Sequence, residues 1–113
     1  VDANLGTWDD VHNFITNGFD LMSDLVLNHC SQSHPWFQQF LSGETPGCHF
    51  FIDRYSPNEA WLSNVKRARN LPLISEYNSL RNDGSSKLHA WTTYHRDLVD
   101  LDWSNPEVCL EFI

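Results

Sequence analysis

Apolar residues recur at helical spacing in "GTWDDVHNFITNGF", where Val11, Phe14 and Ile15 fall on one face. Thr7 stands at the N-cap position, Asp10 three residues on is its reciprocal partner, and Asn17-Gly18 supplies a stop. The pattern predicts a helix over residues 8 to 16. The stretch that follows, "FDLMSDLVLNH", abandons this period for a near-continuous apolar run, which is how a strand covered on both faces reads.

That run is bounded by polar groups: Asp24 interrupts it, and Asn28 and His29 close it. An unpaired buried charge costs several kcal/mol, roughly, so such residues are paired or functional. Helix, Gly turn and buried strand form an α/β unit. In open parallel sheets and in (β/α)8 barrels, chemistry gathers beyond the carboxyl ends of the strands, where Asn28 and His29 fall. Strand alternation puts Asp24 and Asn28 on one face, and regular pairing is expected to stop near Asn28 so that His29 can turn toward the same site.

Further on, "SQSHPWFQQFLSGE" offers Ser33 as cap, Pro35 inside the first turn, and Trp36, Phe37, Phe40 and Leu41 at helical spacing, predicting a short helix over residues 34 to 41. Aromatics so spaced read as core. Regular patterning then fades from Gly43 to Asn82. A short strand is expected at Phe50 to Ile52, and "LPLISEYNS" is expected to pair with "LHAWTTYH" across the turn "RNDGSS". A connection this long implies a small irregular subdomain or functional insertion. Finally "NPEVCLEFI" opens a helix with Asn105 as cap, Pro106 at the first helical position and Glu107 in the first turn.

Composition narrows the function classes. The 113 residues are 41% hydrophobic with a formal net charge of -8, which fits one globular domain. The acidic balance argues against nucleic acid or an anionic membrane as partner, and the one basic cluster, "KRAR" at Lys66 to Arg69, reads as solvated surface. No apolar stretch approaches the roughly 20 residues that span a bilayer, and no signal peptide opens the chain. Three cysteines at irregular spacing and no Asn-x-Ser/Thr acceptor lead us to expect a reducing, cytoplasmic location. Starting at Val1 and stopping at Ile113 within an amphipathic run, the chain reads as cut at both ends.

The order of these motifs resembles glycoside hydrolase family 13, the α-amylase family. Its first conserved region has the pattern Asp-x-x-x-Asn-His at the end of the third barrel strand, and Asp24, Asn28 and His29 match in type and spacing. "LGTWDD" is similar to the family's "VDPxxGTxxDF", and "SHPWFQ" to its "SxxHPWF". Together with "RARNLPLI" and "HAWTTYHRDLVDLDWSNPEV", the likeness is greatest to the sucrose phosphorylase branch.

This resemblance implies an α/β chain that is part of a (β/α)8 TIM barrel of the α-amylase type. Residues 1–32 would be helix 2 and strand 3, residues 33–98 a small irregular α+β domain B insertion, and residues 99–113 the return to the barrel at the start of helix 3. It further implies that His29 hydrogen-bonds the sugar next to the scissile bond, with Asn28 and Asp24 as support. The partners would be an α-glucoside or sucrose-like sugar and phosphate, with no cofactor or metal. Family members use a retaining pair of carboxylates about 5 Å apart. In the family these lie on strand 4 and after strand 5, which have no counterpart here; Asp97, Asp100 and Asp102 do not match the pair, so the fragment by itself is expected to be inactive. Leu98 stands where the branch tends to have Gln, Ala3 replaces the usual Pro, and "GCHFFI" replaces a more polar run, which points to a divergent relative and away from sucrose itself.

Two rival readings come from other classes. One is a non-catalytic carbohydrate-binding or interaction module using the aromatic faces of Trp61, Tyr77, Trp91 and Tyr94. The other is a small zinc-binding module built from His29, Cys30, His34, Cys48 and His49.

Overall fold

The computed structural model describes residues 2–66 and 71–113; Arg67 to Arg69 of the basic cluster lie outside the described residues. Thr7 and Asp10 form the capping box expected of them. The Asp10 N–H donates to Thr7 Oγ1 at 3.3 Å and the Thr7 N–H donates to Asp10 Oδ2 at 2.8 Å, starting α1 at Trp8–Thr16. No residue of α1 is buried, although Phe14 closes edge-on against Phe19 at 6.0 Å.

The strand expected over residues 19–28 is absent: the segment has no regular structure and is exposed, with Met22 94% and Leu25 75% accessible. A segment becomes a strand only by pairing, and no described residue forms a ladder with residues 19–27. Pairing instead begins where it was expected to end, in β1 (His29–Ser31).

Helix α2 (Pro35–Ser42) follows with Pro35 in its first turn, as predicted, but the cap is His34 rather than Ser33, its Nδ1 accepting the Trp36 N–H at 3.2 Å. Its carboxyl end is sealed by Arg81, whose Nε and Nη2 donate to the Phe40 carbonyl at 3.2 and 2.8 Å while the guanidinium lies over the Phe40 ring. Gly43 ends the helix at φ 79°, a left-handed conformation that suits glycine. A tight 3-10 turn at Gly47–His49 then packs so closely under α2 that a Cβ on Gly47 would meet the Trp36 carbonyl at 2.2 Å.

A second 3-10 turn, Ala60–Asn64, leads to the expected hairpin: β2 (Ile74–Asn78) pairs antiparallel with β3 (Lys87–Trp91), Ile74 opposite Trp91 and Asn78 opposite Lys87. The chain then forms β4 (Leu98–Asp100), antiparallel to β1, and closes with α3 (Pro106–Leu110), capped by Asn105 through the Glu107 N–H at 3.0 Å. Phe50 to Ile52 make no regular strand. They bridge instead, Phe51 opposite Leu101, with the Asp102 N–H donating to the Phe50 carbonyl and the Trp91 N–H to that of Ile52. This crossing segment links the two small sheets.

The core lies between α2, the hairpin and β4. Phe37 sits at its centre, stacked on Phe40 at 5.5 Å and edge-on to Tyr77 and Phe51 at 4.8 and 5.1 Å, with Val99 and Val108 fully buried beside it. The aromatics of "HPWFQQF" are thus core, as their spacing indicates.

Candidate functional site

His29 opens β1 and faces Asp100 across the ladder. The Leu101 N–H donates to the Asn28 carbonyl at 3.0 Å and the Gln32 N–H to the Asp97 carbonyl at 2.9 Å. Hydrogen-bonded positions alternate in an antiparallel ladder, so the intervening His29–Asp100 pair is a non-hydrogen-bonded one, where side chains stand closest. The His29 ring, half-buried, meets Tyr94 edge-on at 5.5 Å, and Tyr94 keeps 45% of its surface accessible. An imidazole with an aromatic wall beside it can hold a polyhydroxyl ligand through both a directional hydrogen bond and apolar contact.

Asp100 is buried. Its Oδ2 accepts the Thr93 N–H at 2.9 Å and the Thr93 hydroxyl, while Trp91 Nε1 donates to Thr93 Oγ1 at 3.0 Å. Burial pushes the carboxyl above its usual range, opposed by the two Thr93 hydrogen bonds and by attraction to His29. Asp100 Oδ1 and His29 Nδ1 are each buried without a hydrogen-bond partner among the described residues. A group left so costs about 1–3 kcal/mol, so the pair is a place where fold stability is spent.

The other expected site residues are placed differently. Asn28 is exposed and joins the ladder through its carbonyl. Asp24 is exposed on the 19–28 segment, and no hydrogen bond or ion pair brings it to His29. Tyr77, a candidate sugar platform, is 4% accessible and donates its hydroxyl to the Arg96 carbonyl, so it belongs to the core. Trp61 and Trp91 stack on each other at 5.9 Å with Tyr55 edge-on to both, leaving Trp61 39% accessible.

His29, Cys30, His34, Cys48 and His49 do not converge: among the described residues no three His, Cys, Asp or Glu side chains are grouped to hold a metal. His34 Nδ1 is occupied as a helix cap, and burial pushes the Cys30 thiol up to about 12, keeping it protonated at neutral pH. Thr93 and the pairing of Asp100 with His29 escaped sequence reasoning. "LVDLD" carried a recognisable acid, but no local pattern reveals a partner on a distant strand.

The family model for the α-amylase catalytic domain matches residues 1–112. The chain belongs to the α-amylase family. Among curated relatives, this α-amylase family chain is 45% identical over 113 residues to glucosylglycerate phosphorylase of Spirochaeta thermophila, covering 100% of the chain and 18% of that protein. It is 30% identical over 111 residues to sucrose phosphorylase of Agrobacterium vitis, covering 90% and 22%. Its structure matches the crystal structure of sucrose 6F-phosphate phosphorylase from Thermoanaerobacter thermosaccharolyticum with a TM-score of 0.76 at 25% identity, covering 93% of this chain and 23% of that one. The chain spans about a fifth of the length of the curated relatives it matches.

Proposed function

We propose that this chain is part of a retaining α-glucoside phosphorylase of the sucrose phosphorylase-like group, acting on glucosylglycerate or a similarly small glucoside. The carrying observation is the 45% identity to a glucosylglycerate phosphorylase along the whole chain. Leu98, in place of the branch's Gln, agrees with an aglycone other than the fructose of sucrose. In such a reaction the glucosyl C1–O bond breaks as an enzyme carboxylate takes C1 and a general acid protonates the departing aglycone oxygen; a phosphate oxygen then displaces the carboxylate from C1, its proton returning to that acid.

In this reading residues 1–32 carry helix 2 and barrel strand 3, residues 33–98 form the domain B wall, and residues 99–113 return to the barrel at the start of helix 3. His29 binds a glucosyl hydroxyl, Tyr94 covers an apolar face of the ring, and Asn28 and Asp24 support the strand end. The carboxylate pair lies on other strands, so the 113-residue chain alone is inactive. Three free thiols, Cys30, Cys48 and Cys109, fit work in a reducing cytoplasm.

The test is phosphorolysis by the full-length enzyme that carries this chain. Because positioning contacts count in the transition state, His29→Ala lowers kcat/KM for glucosylglycerate by about 100-fold or more. Near-normal kinetics in that variant overturns the role of His29. Failure of the unaltered enzyme to release glucose 1-phosphate from glucosylglycerate overturns the substrate class.

A further inference from the structure

The two orphaned polar atoms described above, His29 Nδ1 and Asp100 Oδ1, sit on residues directly opposite each other in the β1–β4 ladder. One is a ring nitrogen that donates when protonated, and the other is a carboxylate oxygen that only accepts when ionised. Thr93 already fills Oδ2 with two donors, so the carboxylate is held with Oδ1 as its remaining acceptor. Trp91, by donating to Thr93 Oγ1, leaves the Thr93 hydroxyl proton free to point at Asp100.

We propose that Asp100, oriented by Thr93, is a positioning residue that accepts the Nδ1 proton of His29 and so fixes the tautomer whose Nε2 accepts a hydrogen bond from a sugar hydroxyl. The pair closes by rotation of the His29 side chain toward the Asp100 oxygen that Thr93 leaves open, within a ladder whose backbone already places the two residues side by side. A neutral imidazole has one donor and one acceptor, and the bond made by one nitrogen sets the role of the other. Asp100 therefore decides what His29 offers the ligand without touching the ligand itself. The inference rests on the proposed role of His29 in sugar binding.

The experiment uses the full-length enzyme labelled with 15N-histidine, the His29 ring signals being assigned by their loss in His29→Ala. In the unaltered enzyme at a pH where His29 is neutral, the expected spectrum is that of the Nδ1–H tautomer. In Asp100→Asn the amide oxygen stays on the Thr93 N–H and the NH2 group faces His29, so the signals switch to the Nε2–H tautomer. With the wrong tautomer, kcat/KM falls about 100-fold. Thr93→Val removes the hydroxyl but keeps the backbone donor, and gives a mixture of tautomers with a smaller loss. An Nε2–H tautomer in the unaltered enzyme overturns the proposal, as does an unchanged spectrum in Asp100→Asn. If Asp100→Asn does not fold, the unaltered spectrum and Thr93→Val still decide. Should His29→Ala retain normal turnover while the Nδ1–H tautomer is present, the sugar-binding role fails and the Asp100–His29 pairing stands.

Discussion

Asp100 and Asp102 lie two residues apart and meet opposite environments. Asp100 points into the molecule, where burial raises its carboxyl despite the Thr93 hydrogen bonds. Asp102 also loses some hydration to burial, but its ion pair with Arg54 and the Ser104 hydroxyl and N–H hold it below the usual range. The linkage signs therefore differ. Asp102, depressed on folding, contributes stability that is present above the unfolded value of about 3.9 and disappears as pH falls through its lower folded value. Asp100, raised on folding, favours the native state below that value and costs stability as it ionises. Asp102→Asn is accordingly expected to cost about 1 kcal/mol or less at pH 7, because Arg54 is half exposed and solvent screens the pair. That deficit should shrink below pH 4, roughly. Urea unfolding at pH 7 and pH 3 measures both; a deficit that grows in acid contradicts the assignment.

Among the elements, α1 stands out because its grammar is complete while its packing is missing. Thr7, Asp10 and the Asn17-Gly18 stop specify it, yet none of its residues is buried. A helix this short gains little from propensity alone, so its cap carries an unusual share of its stability. Thr7→Ala is expected to cost about 1 kcal/mol of local helix stability. Hydrogen exchange of the α1 amides should speed up several-fold while β2 and β3 amides keep their protection; an equal change in both would mean that α1 is coupled to the core after all. The hairpin and the caps of α1 and α3 were legible because they depend on neighbours close in sequence. His34 displaced Ser33 as the cap of α2 because its ring reaches the Trp36 N–H while Ser33 hydrogen-bonds Ser31. The β1–β4 ladder was not legible, since it joins residues separated by nearly the whole insertion.

At the scale of the whole molecule, the radius of gyration is 17.6 Å, against about 13 Å for a compact domain of this length. The excess comes with an amino-terminal arm whose apolar side chains are exposed, from Leu5 through Phe19 and Met22 to Val26. An apolar segment without a ladder partner presents both unpaired backbone and sticky surface. The isolated 113-residue chain is therefore expected to self-associate in a concentration-dependent way, and Leu25→Lys with Val26→Glu should shift it toward monomer in size exclusion with light scattering. A monomer at high concentration without those changes would show that the arm finds cover within the chain.

The sequence by itself determined the α-amylase family, the caps of α1 and α3, the aromatic core of α2 and the hairpin, because each is written in contiguous residues whose chemistry acts over one or two turns. It also singled out His29. Only the tertiary structure decided that residues 19–27 pair with no strand among the described residues, that Tyr77 belongs to the core, and that His29 stands across from Asp100. Those facts depend on which distant backbone completes a ladder, and strand pairing is a contact between segments that no local pattern of hydrophobic and polar residues encodes.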